Sequence, residues 1–392
     1  MRSFLLSLYL LSTALYGLSL EEVIQEALDK KPSLRAIEHR IAANRSNVDV
    51  SNQFSNPVIS IADNTLPSDQ AMSRSTISLQ QKLPFLGKRD SLEKISLAED
   101  EVLNTSLEKA RVELVKAIKN QAYTIWELEA LYKTIEEYEH ITKQNIELFE
   151  SYTATSDNQH MGIMSAELTL SDLRIQRASL EAKIFTAYAQ LSYLANFHIE
   201  SLNIKLVVWD LPSQKSLKES LSNNKDLAIK EKELQKAQAK IENAELNNYP
   251  DFNLLASYAY RQEFDNFWTF GVGMSLPIYG TEDYKEQEAR EARLSVASLK
   301  EDVNVKVNAD FEAAYVQMRS AYTIYHIVED DALPKVEHMF ELTSSSIATG
   351  GDLFKYIDIL VQKLKLEQKS IAAVAIYNRS MATIEALSGE TE

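Results

Sequence analysis

Apolar positions along this chain follow two periods, and each predicts a different element. From about Arg89 to Tyr152 no proline or glycine occurs, and Leu107, Leu114, Ile118, Ile125, Leu128, Tyr132 and Ile135 recur in steps of three, four and seven. That stripe predicts a long helix packed lengthwise against other helices. At ~1.5 Å per residue it amounts to a rod of roughly 95 Å. A second rod is expected from about Thr281 to Ser346, with Pro334 as its only breaker and a kink there. Other stretches have period two. Ile77, Leu79 and Gln81 alternate with Thr76, Ser78 and Gln80, and Trp268, Phe270, Val272, Met274 and Leu276 alternate with Thr269, Gly271, Gly273 and Ser275. Phe252, Leu254, Ala256, Tyr258 and Tyr260 form a third apolar row. Such alternation predicts strands with one apolar and one polar face.

These elements occur twice in one order. Leu83-Pro84-Phe85-Leu86-Gly87 recurs as Leu276-Pro277-Ile278-Tyr279-Gly280, and Leu28, Leu34 and Pro57 have counterparts in Leu221, Leu227 and Pro250, all at an offset of 193 positions. A shared register of this kind marks one copied unit. The chain divides into a signal peptide, 1–19, and two structural repeats, 20–212 and 213–392. The first repeat holds strands at about 57–64 and 74–82, a long helix at 89–152, a tip turn at 153–164 and a return helix at 165–197. The second holds strands at about 250–261 and 267–277, a long helix at 281–346, a tip turn at 347–351 and a return helix at 352–388. Shorter helices at about 20–30, 33–53, 216–223 and 226–247 precede the strands. Pro84 with Gly87, and Pro277 with Gly280, are expected to turn each second strand into its long helix. The fold class is therefore mainly α, with a small β contribution of four strands per chain.

Composition narrows the setting. Glycine is scarce at 9 residues and proline at 8, which suits long helices. The net charge of −16 excludes a nucleic-acid partner, which needs a basic stripe. The chain contains no cysteine, which fits an oxidising compartment. Met1-Arg2-Ser3, the apolar run Phe4 to Leu15 and the small residues Gly17 and Ser19 read as a cleaved secretory signal, cut after Gly17 or Ser19. No other stretch is apolar enough for a membrane helix, so a membrane crossing must use strands. Four strands cannot close a barrel, and open edges are not tolerated in lipid. The membrane reading therefore requires several copies, and three would give about 12 strands.

The duplication, Leu20-Glu21-Glu22-Val23, Asn56-Pro57, the run Gln81 to Arg89 and the turn glycines Gly162, Gly350 and Gly351 together resemble the TolC-like outer membrane efflux protein family. Leu86-Gly87-Lys88-Arg89 is most similar to the heavy-metal efflux branch of the Czc and Cus types. The resemblance covers essentially the whole mature chain. It implies a homotrimer with a 12-strand barrel in outer membrane lipid and a helical barrel in the periplasm of a Gram-negative bacterium. It further implies docking on a periplasmic adaptor fed by an inner membrane pump of the resistance-nodulation-division type. The implied function is passive export of metal cations or small toxic compounds. An exit duct for protein secretion and a soluble periplasmic coiled-coil scaffold or adaptor are the alternatives.

The resemblance assigns adaptor contact at the tips to Gly162, Ile163, Met164, Gly350, Gly351, Asp352 and Leu353. It places a gate near Asp352, Tyr356 and Asp358, although Asp352 equally suits a helix N-cap. His160, Met161 and Met164 have donor types that suit soft metals, but thioethers beside a turn are more often packing. No phosphate-binding, nucleophile or paired-carboxylate motif stands out, so no enzyme activity, no cofactor and no bound metal are expected.

Overall fold

The computed structural model describes residues 17–64, 73–152, 157–347 and 352–390. A short strand β1 (Leu18–Ser19) leads into helix α1 (Leu20–Lys30), followed by α2 (Pro32–Ser51). Strands β2 (Val58–Asp63) and β3 (Arg74–Leu83) come next, then the long helix α3 (Lys88–Tyr152) and its return helix α4 (Asp157–Ala195). The connecting segment holds β4 (Leu202–Asn203), α5 (Gln214–Glu219) and a 3₁₀ turn at Ser220–Asn223. Helix α6 (Lys225–Leu246), strands β5 (Phe252–Arg261) and β6 (Phe267–Met274) and helix α7 (Thr281–His326) repeat the order. A π-helical turn, Ile327–Ala332, joins α7 to α8 (Leu333–Ile347), and α9 (Leu353–Leu387) returns.

The chain forms two compact units, one of Met1–Leu34, Lys109–Asn224 and Lys306–Glu392, the other of Arg35–Glu108 and Lys225–Val305. Each unit draws matching segments from both sequence repeats. The duplication is thus a division along the chain, whereas the units are divisions in space.

The sheet-bearing unit contains one antiparallel sheet of order β2-β3-β5-β6. Its central pair, β3 with β5, joins the two copies over ten residue pairs, from Arg74 opposite Arg261 to Leu83 opposite Phe252. The register aligns Ile61, Ile77, Tyr258 and Trp268 in one row, and Ile59, Leu79, Ala256 and Phe270 in the next. Because side chains alternate across a strand, those rows share one face, and the other carries Ser60, Ser78, Ser257 and Thr269. The apolar face is exposed, Phe270 to 78% and Ile61 to 78%. Strand β6 stops at Met274, short of the expected 277, opposite Phe252, the first residue of β5.

The helical unit has an apolar core. Ile135, Tyr138, Ile146 and Phe149 of α3 pack with Ala166, Leu170 and Leu173 of α4 and Leu353, Ile357 and Leu360 of α9. Helix α4 starts at Asp157, so residues 157–164, expected in a turn, are helical. The interruption of the second long helix also differs from the simple kink expected at Pro334. Pro334 lies in the first turn of α8, where its missing N–H is tolerated. Before it, the Leu333 N–H donates to the Val328 carbonyl, a π-type bond.

Candidate functional site at the helix ends and strand-to-helix turns

The two strand-to-helix turns share their backbone. Gly87 has φ +88° and Gly280 has φ +72°, a left-handed conformation that strains any residue with a Cβ. Their surroundings differ. In the first turn the Phe85 N–H and the Lys88 ammonium both donate to Asp251 Oδ1, at 3.0 and 2.8 Å. Lys88 also donates to the Tyr249 carbonyl at 2.8 Å, and the Phe85 and Tyr249 rings stack at 4.6 Å. This turn is therefore tied to the start of β5. In the second turn Ile278 and Tyr279 are exposed, and beside Gly280 a Cβ would meet only Asp283 Oδ2, at 3.8 Å. Pro84 directly follows β3 and Pro277 lies three residues past β6, both where a ladder donor is no longer needed.

At the helix ends, Asp352 is the N-cap of α9, and its carboxylate accepts from the Phe354 and Lys355 N–H groups at 3.0 and 3.4 Å. Leu353 is buried, and a Cβ at Gly162 would sit 3.2 Å from the Leu353 Cβ. Gly162 is therefore a close-approach residue inside α4, not the reversal residue expected from its sequence setting. Its partner lies on a helix 191 positions away in the chain, so no local signal distinguishes the two uses. Ile163 packs against the same core, while Met161 and Met164 are both exposed. Gly350 and Gly351 lie outside the described residues.

The expected gate residues separate into two groups. Tyr356, expected at a gate, is only 3% exposed and belongs to the core. Its ring lies 5.2 Å from Phe340 and its hydroxyl accepts from Asn145 Nδ2 at 3.2 Å. The physical reason is helical phase: Leu353, Tyr356, Ile357 and Leu360 share the inward stripe of α9. Asp352 and Asp358 lie on its exposed side, and Asp358 accepts from Gln362 at 2.7 Å.

A polar group beside this core escapes the sequence reading. Lys363 of α9 bonds Glu337 of α8 at 2.9 Å, lies 3.9 Å from Glu367 and sits 5.2 Å above the Phe340 ring. Burial raises the Glu367 carboxyl above its ordinary value, against the opposing effects of Tyr138 and Lys363. Burial and the charge of Glu367 raise the Tyr138 phenol as well. Only the Lys363–Glu367 spacing of four residues is visible in the sequence; Tyr138 arrives from α3.

Helix α4 also leaves apolar side chains uncovered. Met161, Met164, Leu168 and Ile175 follow heptad-like steps and are 67–73% exposed, and Phe185 and Tyr193 continue the exposed apolar series. Among the described residues no helix is long and apolar enough to cross a membrane, and no group of three or more His, Asp or Glu side chains is placed to hold a metal ion.

Comparison with known proteins gives this arrangement a context. Residues 216–386 match the family described as outer membrane efflux protein. The open state of the MtrE outer membrane channel of Neisseria gonorrhoeae has the same fold, with a TM-score of 0.82 at 16% identity, covering 95% of this chain and 89% of that one. The outer membrane protein VceC of Vibrio cholerae aligns at TM-score 0.78 and 16% identity, covering 95% and 97%. CusC aligns at 0.79 and 13%, covering 95% and 92%. The TM-scores show a common TolC-like fold, and the low identities do not favour one branch of it. No curated protein sequence matches the chain.

Proposed function

We propose, from the premise that this chain has the TolC-like channel fold and carries the outer membrane efflux protein family in residues 216–386, that three copies form a passive exit duct in an outer membrane. The observation that carries this reading is the four-stranded sheet, apolar on one face and, among the described residues, open at the edges of both β2 and β6. Backbone groups along an open edge have no partner in hydrocarbon, so the edges must be closed by other copies. Three sheets joined edge to edge give about 12 strands, a size that closes into a pore. The uncovered apolar series on α4 supports association in the helical part as well.

On this reading the chain is exported across the inner membrane by a cleaved leader. An inner membrane pump of the resistance-nodulation-division type and a periplasmic adaptor supply the driving force, and the duct itself performs no chemistry. The adaptor docks at the helix ends around Gly162, Ile163, Met164, Asp352 and Leu353, and at Gly350 and Gly351, which precede Asp352 in the sequence. The cargo class is metal cations or small toxic compounds. A gate is placed on the exposed side of the α9 N-terminus, at Asp352 and Asp358, where carboxylates favour cations.

Envelope fractionation followed by gels run with and without heating tests the duct. Recovery in the outer membrane as a heat-dissociable trimer is expected, and a soluble periplasmic monomer refutes it. Asp352→Asn combined with Asp358→Asn removes both charges while leaving a competent N-cap. In planar bilayers this double variant is expected to lower cation selectivity, and unchanged selectivity removes the gate assignment.

A further inference from the structure

Two bonds compete for cleavage in the sequence, because Gly17 and Ser19 are both small enough to precede a cut by a signal peptidase. The folded products of the two cuts differ. Leu18 and Ser19 form β1, paired in parallel with Leu202 and Asn203 of β4. Ser19 is also the N-cap of α1 within a complete capping box. Its hydroxyl accepts from the Glu22 N–H at 3.2 Å, and Glu22 Oε2 accepts from the Ser19 N–H at 2.9 Å. The helix so capped buries Leu20, Val23, Ile24 and Ala27.

A cut after Ser19 removes the strand and the cap together. It also leaves a free ammonium on Leu20 at the positive end of the α1 dipole, where positive charge is unfavourable. A cut after Gly17 keeps Leu18, Ser19 and every hydrogen bond of the capping box.

We propose that the Gly17–Leu18 peptide bond is the processing site and that the mature chain begins at Leu18. This rests on the reading that the chain is exported. Hydrolysis breaks the C–N bond, adds the oxygen of water to the Gly17 carbonyl carbon and leaves the Leu18 nitrogen as a free amine. The substrate class is a secretory leader, and the enzyme class is a signal peptidase of the exporting cell.

The test is the intact mass of the full chain, carrying a C-terminal tag, expressed in a Gram-negative host and purified from each cell fraction. A mass beginning at Leu18 is expected. A mass beginning at Leu20, or at any other residue, overturns the proposal. A full-length chain overturns it wherever found, and a full-length chain confined to the cytoplasm refutes the export reading too, so the two failures are distinguishable. Ser19→Asn provides an independent arm, since asparagine caps a helix as well as serine but is a poor residue before a cut. Processing of this variant at Leu18 in wild-type amounts is expected, and loss of its processing overturns the proposal. Deletion of Leu18 and Ser19, which leaves Gly17 before Leu20, is expected to give a cleaved protein that melts several degrees lower. An unchanged melting temperature overturns the claim that the mature fold needs these two residues.

Discussion

The helical unit and the sheet-bearing unit are held together by different forces. The first has a dry interior: Ile118, Ile125 and Ile135 of α3, Leu173 and Leu191 of α4, and Leu360 and Ile384 of α9 are almost wholly inaccessible. The helices of the second are laced by ion pairs. Lys232 meets Glu101 at 3.0 Å, Lys225 meets Glu108 at 2.7 Å, Lys94 meets Glu242 at 3.5 Å, and Lys236 pairs with Glu99. Its sheet face with Trp268, Phe270 and Val272 is exposed. Burial of apolar area stabilises a single chain in water, whereas exposed pairs contribute about 0–1 kcal/mol each. The comparison teaches that one unit gathers its apolar side chains into a core, whereas the other leaves an apolar sheet face uncovered.

The largest effect that sharpens this contrast is expected in the dry core. Leu360→Ala leaves a cavity among Tyr138, Ile357 and Leu364 and is expected to cost about 2–5 kcal/mol. Urea unfolding read by hydrogen exchange of α9 amides measures it; a cost below ~1 kcal/mol would refute an apolar core there. In the sheet-bearing unit the Lys88–Asp251 pair comes next. Asp251→Ala leaves the Lys88 ammonium, whose side chain is 10% exposed, without its carboxylate partner and is expected to cost about 3 kcal/mol, seen as a lower melting temperature. An unchanged temperature would show that the first turn is not anchored through Asp251.

Smaller still is the effect of Lys232→Met with Lys236→Met. Loss of the two surface pairs is expected to cost at most about 2 kcal/mol together, and the difference from wild type should vanish in ~1 M salt. A difference that persists in salt would mean that these pairs act by packing.

The smallest effect concerns Glu367 and has a definite sign. Its carboxyl is raised in the folded chain, so above its folded value the partly buried charge opposes folding, and below the unfolded value of 4.5 that opposition is gone. Stability contributed by this group therefore rises as pH falls from neutral toward 4.5. Glu367→Gln is expected to raise the melting temperature at pH 7 and to leave it unchanged at pH 4, a pattern that differential scanning calorimetry resolves. An equal shift at both pH values would assign the effect to packing.

Much of the fold was legible because its signals are local. The period-two rows of β3, β5 and β6 and the unbroken stripe of α3 each depend on neighbours only a few residues away. Gly87 and Gly280 were legible as turns because the Leu-Pro-x-x-Gly pattern ends a strand and demands a left-handed residue at once. The site was less legible. Gly162 looks like a reversal in sequence, yet it answers to Leu353. Tyr356 looks available for a gate until α9 finds its phase against Phe340 and Asn145.

What the sequence determined alone was therefore the kind and order of elements, the duplication at an offset of 193 and the face of each strand that is apolar. Backbone periodicity and turn chemistry act within a few residues, so they can be read from a single chain. The tertiary structure decided which segments of the two repeats share a unit, where the second long helix widens into a π turn and which side of α9 is buried. It also decided that Ser19 is a helix cap, paired through its strand with residues almost two hundred positions away. These outcomes rest on contacts between distant segments, whose energies exist only once the chain has folded.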